Sequence, residues 1–163
     1  MWRSFSEFVA PGLSESGIDL FRRFTGPATF RKNIRKGALT ARGAYIGIAL
    51  AGVIVTRGPH ISLLFVDREY QRKGVGRALV TGFAEDLVRR PGFSGKHAEK
   101  GVTVNASDYG VGFYESVGFA PTGAAVFKDG IKYTPMRLNI KERLGENGVY
   151  NDLLPGVQEG RAF

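Results

Sequence analysis

The stretch Val66-Asp67-Arg68-Glu69-Tyr70-Gln71-Arg72-Lys73-Gly74-Val75-Gly76-Arg77-Ala78-Leu79 holds the densest set of residues that could do chemistry. A β-rich run delivers the chain to a basic turn, and two glycines open what reads as a long helix. Glycine lets successive backbone N–H groups converge on one anion, and a helix N-terminus adds about half a positive charge there. Arg72, Lys73 and Arg77 would complement a phosphate group. The turn is not a P-loop, because no Gly-Lys-Ser/Thr closes it. A dinucleotide fingerprint also fails, since Leu79 stands at the third glycine position and the turn is too long. On spacing alone, a glycine-capped basic surface turn fits the same residues.

A second group follows in Val104-Asn105-Ala106-Ser107 and Gly112-Phe113-Tyr114-Glu115-Ser116-Val117-Gly118-Phe119. A strand ends in a small polar residue, and a short helix carries adjacent aromatics. Phe113 and Val117 share a helical face that suits the core, and Tyr114 points about 100° away, toward the strand end. A tyrosine hydroxyl there, with a reference pKa of about 10, could donate a proton or make one structural hydrogen bond. His60 and His97 are the only histidines. His60 opens a strand and, by alternation, shares a face with Ser62 and Leu64, so it is a candidate base as well as a structural histidine. Glu69 reads as a solvated charge of the basic turn, and His97 as a loop residue.

Composition removes whole classes of chemistry. With no cysteine among 163 residues, thiol nucleophiles, Cys-ligated zinc, iron–sulfur clusters and disulfides are impossible. Two histidines exclude a multi-histidine metal centre, no Gly-x-Ser-x-Gly elbow is present, and no metal is expected. The net charge is +8, from 23 basic and 15 acidic residues. Between Asp19 and Asp67 lie eight basic residues and no acidic one, and the remaining 15 basic and 15 acidic residues cancel. Basic proteins favour anionic partners. The longest nearly apolar run, Tyr45–Val55, is too short for the ~20 residues that span a bilayer. The first ten residues carry Arg3 and Glu7 and lack the apolar centre of a signal. The expectation is a soluble cytoplasmic protein without membrane partners.

The elements that must position these groups form one domain over residues 1–138, with 139–163 as a loosely attached tail. Residues 14–36 read as helical, broken at Gly26-Pro27, with Ile18, Phe21 and Phe24 on one face and Ser14 or Ser16 as caps. Tyr45–Leu50, Val53–Arg57 and Ile61–Val66 read as strands parted by Ala51-Gly52 and Gly58-Pro59. A helix spans about Gly74 to Arg90, Gly101–Asn105 is a strand, and Tyr109–Val117 a short helix. Asp129-Gly130 turns a closing hairpin between Val126-Phe127 and Ile131–Leu138. The sum is an α/β chain of the α+β type, with a mixed sheet.

Taken together, the order of strand, Gln71-to-Gly76 turn, helix, strand ending at Asn105, and helix bearing Phe113-Tyr114 resembles the GNAT N-acetyltransferases. Further matches to small bacterial members are His60-Ile61-Ser62-Leu63-Leu64-Phe65-Val66, Gly118-Phe119-Ala120-Pro121-Thr122-Gly123, Tyr133-Thr134-Pro135-Met136 and Phe5-Ser6-Glu7-Phe8-Val9-Ala10-Pro11. The resemblance spans about residues 3–140. It implies the GNAT acyl-CoA N-acyltransferase fold and acetyl-CoA as co-substrate, lying where two parallel strands splay apart. It also implies that backbone groups of Phe65 and Val66 hold the pantetheine arm. Gln71, Arg72, Lys73, Gly74, Val75, Gly76, Arg77 and Ala78 make the phosphate site, with amides from Arg72 to Arg77 on the pyrophosphate. Asn105 contacts the cofactor near its acyl end, Phe113 is a further cofactor-binding residue, and Tyr114 protonates the departing thiolate. Transfer is direct to a primary amine of a small molecule, in keeping with the missing cysteine.

The family's usual first strand is not legible here, which leaves a sheet edge that another subunit or the tail would cover; a misassigned start would look the same. A homodimer is therefore one expectation. The resemblance places the acceptor beside the early helices, where the charge surplus lies. That surplus suits an acidic acceptor or a basic outer face, and disfavours polyamines. The rival reading is a non-catalytic CoA-binding or nucleic-acid-associated module that uses the basic N-terminal region. Residues 20–57 lack the aromatic and basic interleaving of an RNA-binding surface, so nucleic acid ranks below a small-molecule amine.

Overall fold

The computed structural model describes residues 2–91 and 101–140. Helix α1 (Trp2–Phe8) and a short 3-10 turn (Ala10–Gly12) precede α2 (Glu15–Thr25) and α3 (Pro27–Arg35). Strands β1 (Thr40–Ile46), β2 (Ala49–Arg57) and β3 (His60–Val66) lead into α4 (Val75–Arg89). Then come β4 (Val102–Ala106), α5 (Asp108–Ser116), β5 (Ala120–Pro121), β6 (Val126–Lys128) and β7 (Ile131–Leu138). His97 and residues 141–163 lie outside the described residues. Among the described residues no helix is long and apolar enough to cross a membrane.

Local chemistry sets most boundaries. The Ser14 side chain accepts the Gly17 amide and caps α2. Pro27 opens α3, a position that needs no amide donor. Asp129 and Gly130 both have positive φ, at 51° and 77°, as a two-residue hairpin turn of the primed type requires.

One sheet holds these elements in the order β1-β2-β3-β4-β7-β5, with β6 paired to β7. It is mixed: β3 and β4 run parallel, and the other pairs are antiparallel. Leu79, Phe83 and Leu87 of α4 pack with Ile54, Ile61, Val104, Met136 and Leu138 of the sheet into the main core. Ile140, two residues past β7, is buried in the same cluster. A separate layer is built from α1 and α2, whose Phe5 and Phe21 rings stack at 3.6 Å. Phe21 meets Phe65 of β3 edge-on at 6.1 Å.

Three strand readings need correction. The first hairpin turns at Gly47-Ile48, and Ala51-Gly52 lie inside β2. Gly47 supplies the positive φ of 59° for the turn, while the fully exposed Ile48 disguises it in the sequence as strand. Gly52 is there for close packing, since a Cβ would stand 3.0 Å from Val75 Cγ1 and 3.2 Å from Leu79 Cδ1. Strand β1 also begins earlier, at Thr40, and its residues are nearly all exposed because it is the sheet edge. Finally, Val55 pairs with Leu63 but Thr56 pairs with Ile61, so Ser62 is the extra residue of a β-bulge. The bulge resets the alternation: Ile61 and Leu64 both face the main core. His60 therefore faces away from Leu64, on the side of Leu63 and Phe65.

Candidate active site

Two parallel strands that part company create the site. β3 and β4 are in register only at His60↔Thr103 and Ile61↔Val104. Beyond that point Ser62–Val66 and Asn105-Ala106 diverge, leaving main-chain groups of β3 without a neighbouring strand on that side. The opening is the waist of a cleft of about 1180 Å³. One half runs to the basic turn and α5, and the other reaches the aromatic layer of α1 and α2 and the β6–β7 hairpin.

The basic turn is built to present amides. Asp67 caps a 3-10 turn at Arg68–Tyr70 by accepting the Glu69 amide at 3.2 Å. Arg72 then takes φ 60° and Gly74 φ 82°, two left-handed residues that curl the chain toward α4. Gly74 is the N-cap of α4 and offers no side-chain cap. The first amides of α4 have no partner within the helix itself, and Val75, Gly76 and Arg77 line the cleft. Such a turn can hold an anion such as a pyrophosphate.

At the waist, Tyr114 of α5 is buried between Phe113 and Phe119, whose rings meet it edge-on at 5.2 Å each. Burial raises its phenol well above the usual tyrosine range, which keeps the proton on. Its hydroxyl has no hydrogen-bond partner among the described residues, so its donor is available to a ligand. His60 Nδ1 lies 2.9 Å from Thr103 Oγ1. Burial first, and the nearby Arg57 charge second, lower its pKa and hold the ring neutral near pH 7.

Of the residues singled out from the sequence, His60, Phe65, Val66, Gln71, Arg72, Gly74, Val75, Gly76, Arg77, Asn105, Phe113 and Tyr114 all line this one cleft. Lys73 and Ala78 do not. Lys73 Nζ stands 5.7 Å above the Tyr70 ring, and Ala78 is a turn into α4, its amide bonded to the Gly74 carbonyl. Arg77 reaches across to the Ser116 carbonyl at 3.4 Å, tying α4 to the end of α5.

A family model of the acetyltransferase (GNAT) domain matches residues 9–140. The chain belongs to the GNAT acetyltransferase family. Solved GNAT structures share its fold. A GCN5-related N-acetyltransferase from Rhodopseudomonas palustris is 22% identical, with 82% of this chain and 81% of that one covered at a TM-score of 0.62. The PaiA N-acetyltransferase from Thermoplasma acidophilum, solved with coenzyme A, is 18% identical, with 83% and 86% covered at 0.61. An acetyltransferase of the GNAT family from Desulfovibrio desulfuricans is 17% identical, with 84% and 88% covered at 0.56. No curated protein sequence matches the chain.

Sequence reasoning missed several residues in or beside this GNAT cleft. Thr103, the partner of His60, sits in a strand whose apolar neighbours hide it. Arg57 lines the cleft although it reads only as part of the charge surplus. Tyr109 stacks on Phe8 at 4.8 Å and donates to Gln71 Oε1 at 3.3 Å, linking the two arms of the opening. Nothing in the local pattern signals that link, because its partners lie 38 residues apart.

Proposed function

We propose that the protein is an acetyl-CoA-dependent N-acetyltransferase that moves the acetyl group directly to a primary amine of a small molecule. The observation that carries this reading is the parting of β3 and β4 between an uncapped, glycine-opened helix start and a buried tyrosine hydroxyl. The residues present fit CoA: main-chain groups at Phe65 and Val66 suit an extended arm, and the turn from Arg72 to Arg77 suits its pyrophosphate. Bound acetyl-CoA supplies an acyl thioester. The transfer forms a C–N bond, breaks the C–S bond, removes a proton from nitrogen and returns one to sulfur. Tyr114 holds a proton where the sulfur leaves, and its raised pKa keeps that donor charged with hydrogen at every working pH. His60, neutral near pH 7, takes the proton of the amine directly or through water. Asn105, exposed at the end of β4, orients the acyl end.

The edge strand β1, with Tyr45 and Ile46 open to solvent beside Ile48 of the turn and Leu50 of β2, is the surface on which a second copy would pair. Calorimetry with CoA and a thiol-release assay over a panel of amines test the activity. Saturable binding and amine-dependent thiol release are expected; a chain that does not bind CoA is not this enzyme.

A further inference from the structure

The half of the cleft facing α2 has a definite chemical character. Leu13, Leu20, Phe24, Leu63, Ile131 and Tyr133 give it an apolar wall. Its charged groups are Arg57, Lys128, Lys132 and a single carboxylate, Asp129, among the described residues lining the cleft. Lys132 is already engaged by Asp108 at 2.8 Å. Arg57 has no ion-pair partner among the described residues. It pairs directly across the hairpin with His60, at the closed end of the splay.

A strongly basic amine is poorly served here. It arrives as an ammonium ion, and the cleft offers it cations and one carboxylate. The amine of a free α-amino acid is less basic than an ε-amine by about one pKa unit, so at pH 7.5 its neutral fraction is roughly 10-fold to 20-fold larger. Low basicity thus does work that an acidic wall would otherwise do. An α-amino acid also has its carboxylate two bonds from its nitrogen, matching the adjacency of Arg57 and His60.

We infer that the acceptor is the α-amine of a free apolar or aromatic amino acid, its side chain on the α2 wall and its carboxylate on Arg57, which rests on the acetyl-transfer reading above. The reaction yields the N-acetyl amino acid and free CoA. Arg57 is a specificity residue in this scheme: it chooses the ligand that brings a nitrogen to His60.

The test measures kcat/KM by thiol release for phenylalanine, a peptide with N-terminal phenylalanine, phenethylamine and spermidine, with CoA binding followed separately by calorimetry. Phenylalanine is expected to exceed spermidine by about 10-fold or more. It should exceed phenethylamine by on the order of 10-fold to 100-fold, the worth of one charge-assisted contact plus lower basicity. Arg57→Gln should collapse most of the second ratio by raising KM for phenylalanine, and Arg57→Lys should restore part of it. Preference for spermidine, for phenethylamine or for a peptide N-terminus, or a ratio unmoved by Arg57→Gln, overturns the inference and leaves acetyl transfer standing. Absence of CoA binding, or of thiol release with every amine, overturns both.

Discussion

The two halves of the cleft are made from different materials. The α4 half is main chain: left-handed Arg72 and Gly74, the uncapped start of α4, and the side of β3 that β4 leaves. The α2 half is side chain: aromatic and aliphatic groups drawn from α2, β3 and β7, with Arg57 at one end. A main-chain site recognises something invariant, since amides cannot be swapped by substitution. A side-chain site can be rewritten residue by residue. Such a division suits a fixed donor in one half and a changeable acceptor in the other.

The largest effect should come at the waist, where the halves meet. Tyr114→Phe keeps the packing against Phe113 and Phe119 and removes only the hydroxyl. Turnover is expected to fall by about 100-fold to 10,000-fold, the usual worth of a positioned proton donor. CoA affinity, set in the α4 half, should change by less than about threefold, within the small net worth of one neutral hydrogen bond. Burial raises the phenol pKa, so the donor form persists as pH rises, and kcat in the wild type should show no loss from this group below about pH 10. An alkaline fall centred near pH 8 that disappears in the Phe variant would show that burial does not hold the phenol proton, and turnover unchanged in that variant would remove Tyr114 from the donor role.

A smaller effect should isolate the main-chain half. At φ 82° Gly74 sits where a β-branched side chain is strained. Gly74→Val should therefore distort the turn and weaken CoA binding by roughly 10-fold to 100-fold, matching a strain of about 1–3 kcal/mol. At saturating acetyl-CoA, the preference among acceptors should stay as it was. A variant that binds CoA normally but changes its acceptor would show that the two halves are not separable.

The same division explains what the sequence made legible. Gly74, Gly76 and the basic residues around them are contiguous, so the phosphate turn stands out in one short stretch. Helix α4 and the closing hairpin are equally plain, from a 3.6-residue period and Asp129-Gly130. The α2 half comes from segments more than 100 residues apart, such as Leu13 beside Ile131, and no local spacing encodes that meeting. The bulge at Ser62 is also silent in the sequence, because Leu63 and Leu64 fit either face. It nonetheless decides which side of the sheet His60 serves. Helix α1, too, carries no period long enough to read over seven residues.

The smallest effect is expected where the sequence is most conspicuous. Arg31, Lys32, Arg35 and Lys36 supply half of the eight basic residues between Asp19 and Asp67, and all four are exposed. None of them lines the cleft; with Ala28 they frame a shallow surface hollow of their own. Helix α3 turns its intermediate residues Phe30, Asn33 and Ile34 the other way, which leaves these cations on an outer face. Lys32 and Arg35 in the last turn also complement the helix dipole, a local reason for their presence. Of the eight, Arg57 alone reaches the cleft. Reversing all four α3 charges to Glu should thus leave kcat/KM and acceptor preference within about twofold, since at 0.15 M salt charges beyond ~8 Å are largely screened. Arg57→Gln, one charge, should matter more than those four together. If the fourfold reversal instead shifts acceptor preference, the acceptor extends past Phe24 onto α3, and the side-chain half of the site is larger than the cleft shows.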